Sequence, residues 1–356
     1  MQTEDFVGAN DLFRPDYAYF SSTSSSWLGH AKKYCDTIIP KLGLSTGSFV
    51  VEVASNDGYL LKNLLTVGIP CLGIEPTAST AAAAEKLGIP VIRKFFGEKL
   101  AKELVEKGPR ADLIIGNNVY AHVPDINNFT RGLAALLSKD GVVTLEFPHL
   151  LCLIKQTLFD TVYHEHFSYL SMHAVRSIFG AAGLKIWDVE ELSSHGGSLR
   201  VYGCLLSCPR SISGRVAEVL EKERKEGLLR QETYFGFQAR VDKIKEDLLI
   251  FLKECQKTGK KVAAYGAAAK GNTLLNYAGV KPDLVPYVCD AAPSKQGKYL
   301  PGSRIPIRPP SALRQELPDK ILILPWNLAD EIVEALGDMG KTKDRFVTAI
   351  PSLHFA

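Results

Sequence analysis

Within Tyr163-His164-Glu165-His166-Phe167-Ser168-Tyr169 the chain sets two imidazoles, a carboxylate and two phenols side by side. Such a set can move a proton. A histidine titrates near neutral pH and can take a proton from carbon or oxygen, while a neighbouring tyrosine hydrogen-bonds to an oxygen as it becomes negative. A metal site and a packed aromatic turn are the other readings of the same residues. His164 and His166 are two apart, whereas a shared metal favours His pairs at helical spacing.

The elements that must position this cluster lie on either side of it. Phe49-Val-Val-Glu52-Val-Ala54-Ser-Asn56-Asp57-Gly58 followed by Tyr-Leu-Leu-Lys-Asn-Leu-Leu reads as a buried strand, a turn of small residues and an amphipathic helix. In an open α/β sheet that strand end is where a nucleotide-like cofactor lies, and Gly58 lets the backbone come close to it. The turn lacks the three-glycine dinucleotide fingerprint, which disfavours a plain NAD domain. Pro70 to Pro76 is a second strand ending in Glu75, placed to accept hydrogen bonds from both hydroxyls of a ribose. A third strand, Ile89 to Phe96, ends in Phe95 and Phe96, suited to the face of an adenine. Asp112 to Pro124 contains the fourth, with Asn117, Asn118 and His122 at its end, and Gly141 to Pro148 is the fifth, directly before the Tyr163–Tyr169 cluster. Five strands with intervening helices predict a doubly wound sheet.

Leu184–Leu192 and Gly197–Leu206 add two more strands, joined through His195-Gly196-Gly197, where His195 either satisfies the turn or reaches a substrate. Residues 209–258 read as helix, with Phe237, Val241, Ile244, Leu248 and Phe251 at three- and four-residue spacing. A second α/β unit opens at Lys261-Val-Ala-Ala-Tyr265-Gly266-Ala-Ala-Ala-Lys270-Gly-Asn272. Free N–H groups at that helix start, with Lys270 beside them, suit an anion such as phosphate. The Gly-Lys-Ser/Thr ending of a P-loop is missing, so nucleotide hydrolysis is not expected. Val285–Asp290 and Lys320–Asn327 continue the unit, Arg345–Pro351 is read as an edge strand, and Ser294–Lys298, with Lys295, is a basic loop. Ahead of all this, Ser25 or Ser26 is placed to cap a helix from Trp27 onward, after an aromatic and serine-rich segment.

With 356 residues, 46% hydrophobic and 23% charged, two domains and a connector are expected of a globular protein. A net charge of +3 implies no broad nucleic-acid surface, though a local basic pocket for a phosphorylated ligand is compatible with it. Seven scattered cysteines without a Cys-x-x-Cys pair read as reduced thiols. No run approaches the length of a membrane span, no basic-then-apolar signal opens the chain, and it is read as cytoplasmic.

The strand-turn-helix, the acid on the second strand and Asn117-Asn118 on the fourth resemble a class I S-adenosylmethionine-dependent methyltransferase from about residue 48 to 205. Over nearly the whole chain, Tyr163-x-Glu165-His166-Phe167, His195-Gly196-Gly197, Tyr265-Gly266-Ala-x-Ala-Lys270 and Asp290-x-x-Pro293-x-Lys295-Gln296 resemble the sugar C-methyltransferases of deoxysugar biosynthesis. Those enzymes methylate carbon 3 of a nucleotide-linked 4-ketohexose. That family usually opens with a cysteine-rich zinc module, whose cysteines this sequence lacks.

The resemblance implies an α/β fold with a class I methyltransferase sheet, a helical connector and a second Rossmann-like domain, over 1–47, 48–208, 209–258 and 259–356. It implies S-adenosylmethionine as cofactor, at Glu52, Ala54, Asn56, Asp57, Gly58, Glu75, Pro76, Phe95, Phe96, Asn117 and Asn118. It places His166 as base with Tyr163, Glu165, His122 and Tyr19 around it, and a nucleotide-linked sugar at Tyr17, Ser21, Ser22, His195, Gly196, Gly197, Lys270, Asn272 and Lys295. No metal, nucleic acid or membrane partner is implied. An O-methyltransferase and an NAD-dependent ketosugar oxidoreductase are the alternative activities.

Overall fold

The structure, a computed structural model, describes residues 1–4, 7–12, 19–337, 339 and 344–355. Tyr17 lies outside the described residues. The chain divides into two compact units. The first is Met1–Leu150, His164–Ser193 and Gly197–Glu226, and the second is Leu151–Tyr163, Ser194–Gly196 and Gly227–Ala356.

The first unit is built on β1 (Val50–Val53), β2 (Cys71–Ile74), β3 (Val91–Ile92), β4 (Ala111–Asn117), β5 (Leu137–Pro148), β6 (Leu184–Leu192) and β7 (Ser198–Leu205). They lie in the order β3-β2-β1-β4-β5-β7-β6, and β7 runs antiparallel to both neighbours. β1 is buried along its whole length, as a central parallel strand covered on both faces must be. Its neighbours β2 and β4 are reached in opposite directions, and this switch point opens a crevice at the C-terminal strand ends. This is the class I methyltransferase order. The third strand is shorter than the run Ile89–Phe96 suggests, because only Val91 and Ile92 pair with β2.

Helices cover both faces. Helix Ser25–Leu42 starts where the Ser24 hydroxyl accepts from Trp27 N at 3.2 Å, and it ends at Gly43, whose φ of 65° only glycine adopts readily. Its Ala31, Tyr34, Cys35 and Ile38 face the core at helical spacing. The cap is thus Ser24, one residue before the serines that the sequence nominates.

The second unit carries β8 (Val262–Tyr265), β9 (Val288–Cys289), β10 (Ile307–Arg308), β11 (Lys320–Ile323), β12 (Phe346–Thr348) and β13 (His354–Phe355), ordered β10-β9-β8-β11-β12-β13. The first five are parallel and β13 is antiparallel. Arg345–Pro351 was expected at an edge. It is not there, because β13 returns and pairs with β12. Residues 209–258 are shared between the units. Helix Gly214–Lys225 sends Val216 and Val219 into the core of the first, while helix Phe237–Lys257 belongs to the second. No helix among the described residues is long and apolar enough to cross a membrane.

Candidate active site

At the C-terminal end of β1 the chain makes a tight turn in which Ala54 (φ 58°), Asn56 (φ 50°) and Gly58 (φ 79°) take left-handed backbone angles. Gly58 serves packing within the unit, for a Cβ there would meet Ile89 at 2.5 Å and Ala84 at 3.2 Å. Glu75, at the end of β2, holds the turn in place. One of its oxygens accepts from Asn56 N at 2.9 Å and the other from Thr77 N at 2.9 Å. Pro76 lies between these two braces. The turn in turn holds the segment around residue 20: Asn56 Oδ1 accepts from Ser21 N (2.9 Å), Asn56 Nδ2 donates to Tyr19 O (3.1 Å), and Asp57 Oδ2 accepts from Ser22 N (3.0 Å). Tyr19, Ser21 and Ser22 are therefore brought to the same crevice as the turn.

Several buried polar atoms here have no hydrogen bond: Ser55 Oγ, Asp57 Oδ1 and both ends of the Asn117 side-chain amide at the end of β4. Buried polar groups are almost always paired, so acceptors and donors idle at a topological switch point fit a polar ligand such as the ribose and amino-acid parts of a nucleoside cofactor. Glu52, fully buried under the turn, has its carboxyl pushed well above its ordinary value by burial and by the charges of Asp57 and Glu75. Phe95 and Phe96 part company. Phe96 turns into the core, edge-on to Phe129 at 5.2 Å, and Phe95 stays 44% exposed. Asn118 follows with φ 53° and donates its N–H to Glu146 O at 2.7 Å.

His122 closes the short helical turn after β4, and its ring stands edge-on to that of His166 with centroids 4.7 Å apart. Phe167 N and Ser168 N both donate to Ala121 O, at 2.9 and 3.1 Å, which docks the later segment onto this turn. Burial pushes His122 down to about 4, partly offset by the hydrogen bond its ring donates to the Glu165 backbone carbonyl, so it is neutral at physiological pH. His166 is 7% exposed. His164, by contrast, faces water, and the segment is an irregular turn and not a strand. Tyr169 stands 6.3 Å from His166 by ring centroids. Although 54% of Tyr19 is exposed, its phenol is raised by desolvation and then by the charges of Asp57 and Glu165. Tyr163 precedes Glu165 by two residues and is half-buried. Among the described residues no group of three or more His, Cys, Asp or Glu is arranged to hold a metal.

In the second unit the switch point lies between β8 and β11. Lys270, in the first turn of helix Ala269–Tyr277, donates to Asn327 Oδ1 at 2.9 Å and stands 4.8 Å over the Trp326 ring. Burial lowers its ammonium to about 8, against the pull of Asp160. Asn272, two residues along, keeps Oδ1 buried without a hydrogen bond. Lys295 is committed locally, to Ala267 O at 3.0 Å and Asp290 Oδ2 at 3.3 Å, so it braces a turn of this unit. His195 takes φ 54°, and Gly196 makes room for Trp326, whose ring would lie 2.5 Å from a Cβ placed there. Gly197 O accepts from His149 N at 3.0 Å in the first unit.

Local pattern did not single out several residues. Glu146, buried in β5, accepts from Arg200 at 2.6 Å and lies 2.8 Å from His30 Nε2. Asp160, Trp326 and Asn327 surround Lys270. Trp326 and Asn327 close the run Lys320–Asn327, so the strand-end rule of α/β sheets was the available signal for them. Nothing local marks Asp160.

The profile of a C-methyltransferase C-terminal domain matches residues 193–351, and that of a methyltransferase domain matches residues 27–189. The C-methyltransferase NovU of Streptomyces niveus is 34% identical over 341 residues, covering 96% of this chain and 81% of that protein. A ubiquinone biosynthesis O-methyltransferase of Azorhizobium caulinodans is 22% identical over 98 residues, 27% of this chain and 39% of its own. Among solved structures, magnesium protoporphyrin IX methyltransferase from Synechocystis PCC 6803 with bound SAH shows 17% identity and a TM-score of 0.39, over 50% of this chain and 84% of that one.

Proposed function

We propose that this chain, which belongs to the S-adenosylmethionine-dependent C-methyltransferase family, methylates the carbon beside the ketone of a nucleotide-linked 4-keto-deoxysugar. When bound, S-adenosylmethionine supplies an electrophilic methyl group on its sulfonium. Ser55, Asp57 and Asn117, with idle polar atoms at the switch point, are the groups that would hold it, together with Glu75 and the exposed face of Phe95.

The observation that carries the reading is the meeting of His166 and His122 beside the cofactor turn. A carbon next to a ketone loses a proton only when the enolate oxygen is stabilised. His166 takes that proton. The Tyr163 hydroxyl donates to the oxygen as charge grows on it, neutral His122 holds the His166 ring in place, and Glu165 orients a ring or a sugar hydroxyl. Lys270 and the helix start beside it take the diphosphate.

Incubation with S-adenosylmethionine and a panel of nucleotide-linked 4-ketosugars, with the new methyl located by NMR, tests the reading. A C-methyl resonance at the carbon beside the ketone, with solvent deuterium entering that carbon, is the expected result. An O-methyl product without exchange would replace it by O-methyl transfer.

Two binding results follow. Glu75→Ala should weaken S-adenosylmethionine by about 1–3 kcal/mol in calorimetry, since a charged acceptor is removed. Unchanged affinity would put the cofactor elsewhere. Lys270→Ala should weaken a nucleotide-sugar by about 1.5–3 kcal/mol and leave S-adenosylmethionine affinity as it was. Equal loss of both ligands would remove this division of roles.

A further inference from the structure

Asp160 is 1% exposed. Its Oδ2 accepts from Trp326 Nε1 at 2.7 Å, while its Oδ1 is buried without a hydrogen bond. The indole is in turn fixed by the bare Cα of Gly196, and its face lies under the Lys270 ammonium at 4.8 Å. Lys270 spends its resolved hydrogen bond on Asn327, so the carboxylate and the ammonium influence each other through space without neutralising each other in a direct contact. Burial raises Asp160 above its ordinary value, opposed first by Lys270, then by the indole N–H and last by the backbone amides of Asp160 and Thr161, none of which closes a full hydrogen bond on Oδ1. A cation at a helix start and an idle carboxylate oxygen make two complementary demands. The cation takes an anionic group, and the oxygen takes a donor, because a buried acceptor left unpaired costs about 1–3 kcal/mol.

We propose that Asp160 is a specificity-determining residue whose free oxygen accepts a hydrogen bond from a hydroxyl or imide N–H carried by the substrate near the phosphate that Lys270 binds. The inference rests on the nucleotide-sugar reading above and adds to it the recognition of a donor. A ligand with phosphate alone satisfies half of the site. Trp326 sets the carboxylate's angle, and Gly196 sets the indole's.

Calorimetry on the full chain with thymidine diphosphate and with inorganic pyrophosphate separates the two halves. Asp160→Asn keeps an oxygen for the indole but removes the charged acceptor. It should weaken thymidine diphosphate about tenfold or more, and leave pyrophosphate unchanged or tighter, as a negative charge leaves the neighbourhood. Wild-type protein offers a check independent of the variant's folding. Of the 3′-O-methyl and N3-methyl analogues of thymidine diphosphate, one should bind about tenfold more weakly than the parent. In Asp160→Asn that difference should disappear. Wild-type binding of both analogues as tightly as the parent, or an equal fall of thymidine diphosphate and pyrophosphate in the variant, would overturn the role of Asp160 alone. Wild-type protein that binds neither thymidine diphosphate nor pyrophosphate would overturn the nucleotide-sugar reading with it.

Discussion

Replacing His166 by Asn should lower turnover by about 10²–10⁴-fold while substrate still binds, the range for a lost general base. The imidazole is buried against His122, four residues after the start of the cluster-bearing turn at Val162, and its backbone neighbours are pinned to Ala121. His122 is the competing candidate, but burial holds it near 4. A base with so low a pKa pulls weakly on a carbon acid, so the role left to His122 is to hold the His166 ring against which it packs. His122→Asn should therefore lower turnover without abolishing deuterium exchange at the substrate carbon, and His166→Asn should abolish the exchange. If exchange survives in the His166 variant and disappears in the His122 variant, the two residues trade roles. The midpoint of His122 protonation lies at about pH 4, so a limb in the pH–rate profile centred between 5 and 8 would belong to another group.

The largest expected stability effect is at Glu223, on helix Gly214–Lys225. Its carboxylate is fully buried. It accepts from Met172 N at 2.6 Å and His173 N at 3.1 Å, capping the start of helix Met172–Ala181, and it lies 2.7 Å from His149 Nε2 and 2.6 Å from His173 Nδ1. Deleting one member of such a network leaves its partners buried and unpaired, so Glu223→Ala should cost about 3–5 kcal/mol. Burial alone would raise this carboxyl, but the bonds from the two histidines and the two backbone amides outweigh it and bring it below its ordinary 4.5. A folded-state value below the unfolded one means that the unfolded chain binds more protons as the group titrates. The stabilisation is accordingly complete above about pH 4.5 and is lost as pH falls through the folded value. Urea unfolding of the full chain at pH 7 and pH 4 should show wild type losing more of its midpoint than Glu223→Gln. Parallel loss in the two proteins would assign the acid sensitivity elsewhere.

Much of the architecture is written locally. Val50–Val53 and Lys320–Ile323 are short apolar runs because central parallel strands are covered on both faces, and such runs identify themselves without knowledge of their partners. The turn after β1, the acid after β2 and the Lys270 helix start are local for the same reason, since a strand end and a helix start are adjacent in the chain. Edges are less legible. The two-residue pairing of β3 and the cover that β13 gives β12 depend on what lies alongside, which no periodicity records.

The sequence alone determined which residue types the site could draw on, and the tertiary structure decided how they are used. The approach of His122 to His166 follows from the docking of one loop on another. Topology brings Asp160 to Trp326 across 166 positions, and Glu223 to His149 across 74. The burial that moves His122 down to about 4 and Lys270 to about 8 exists only once the chain has packed, because desolvation belongs to a place in the fold and not to a residue type.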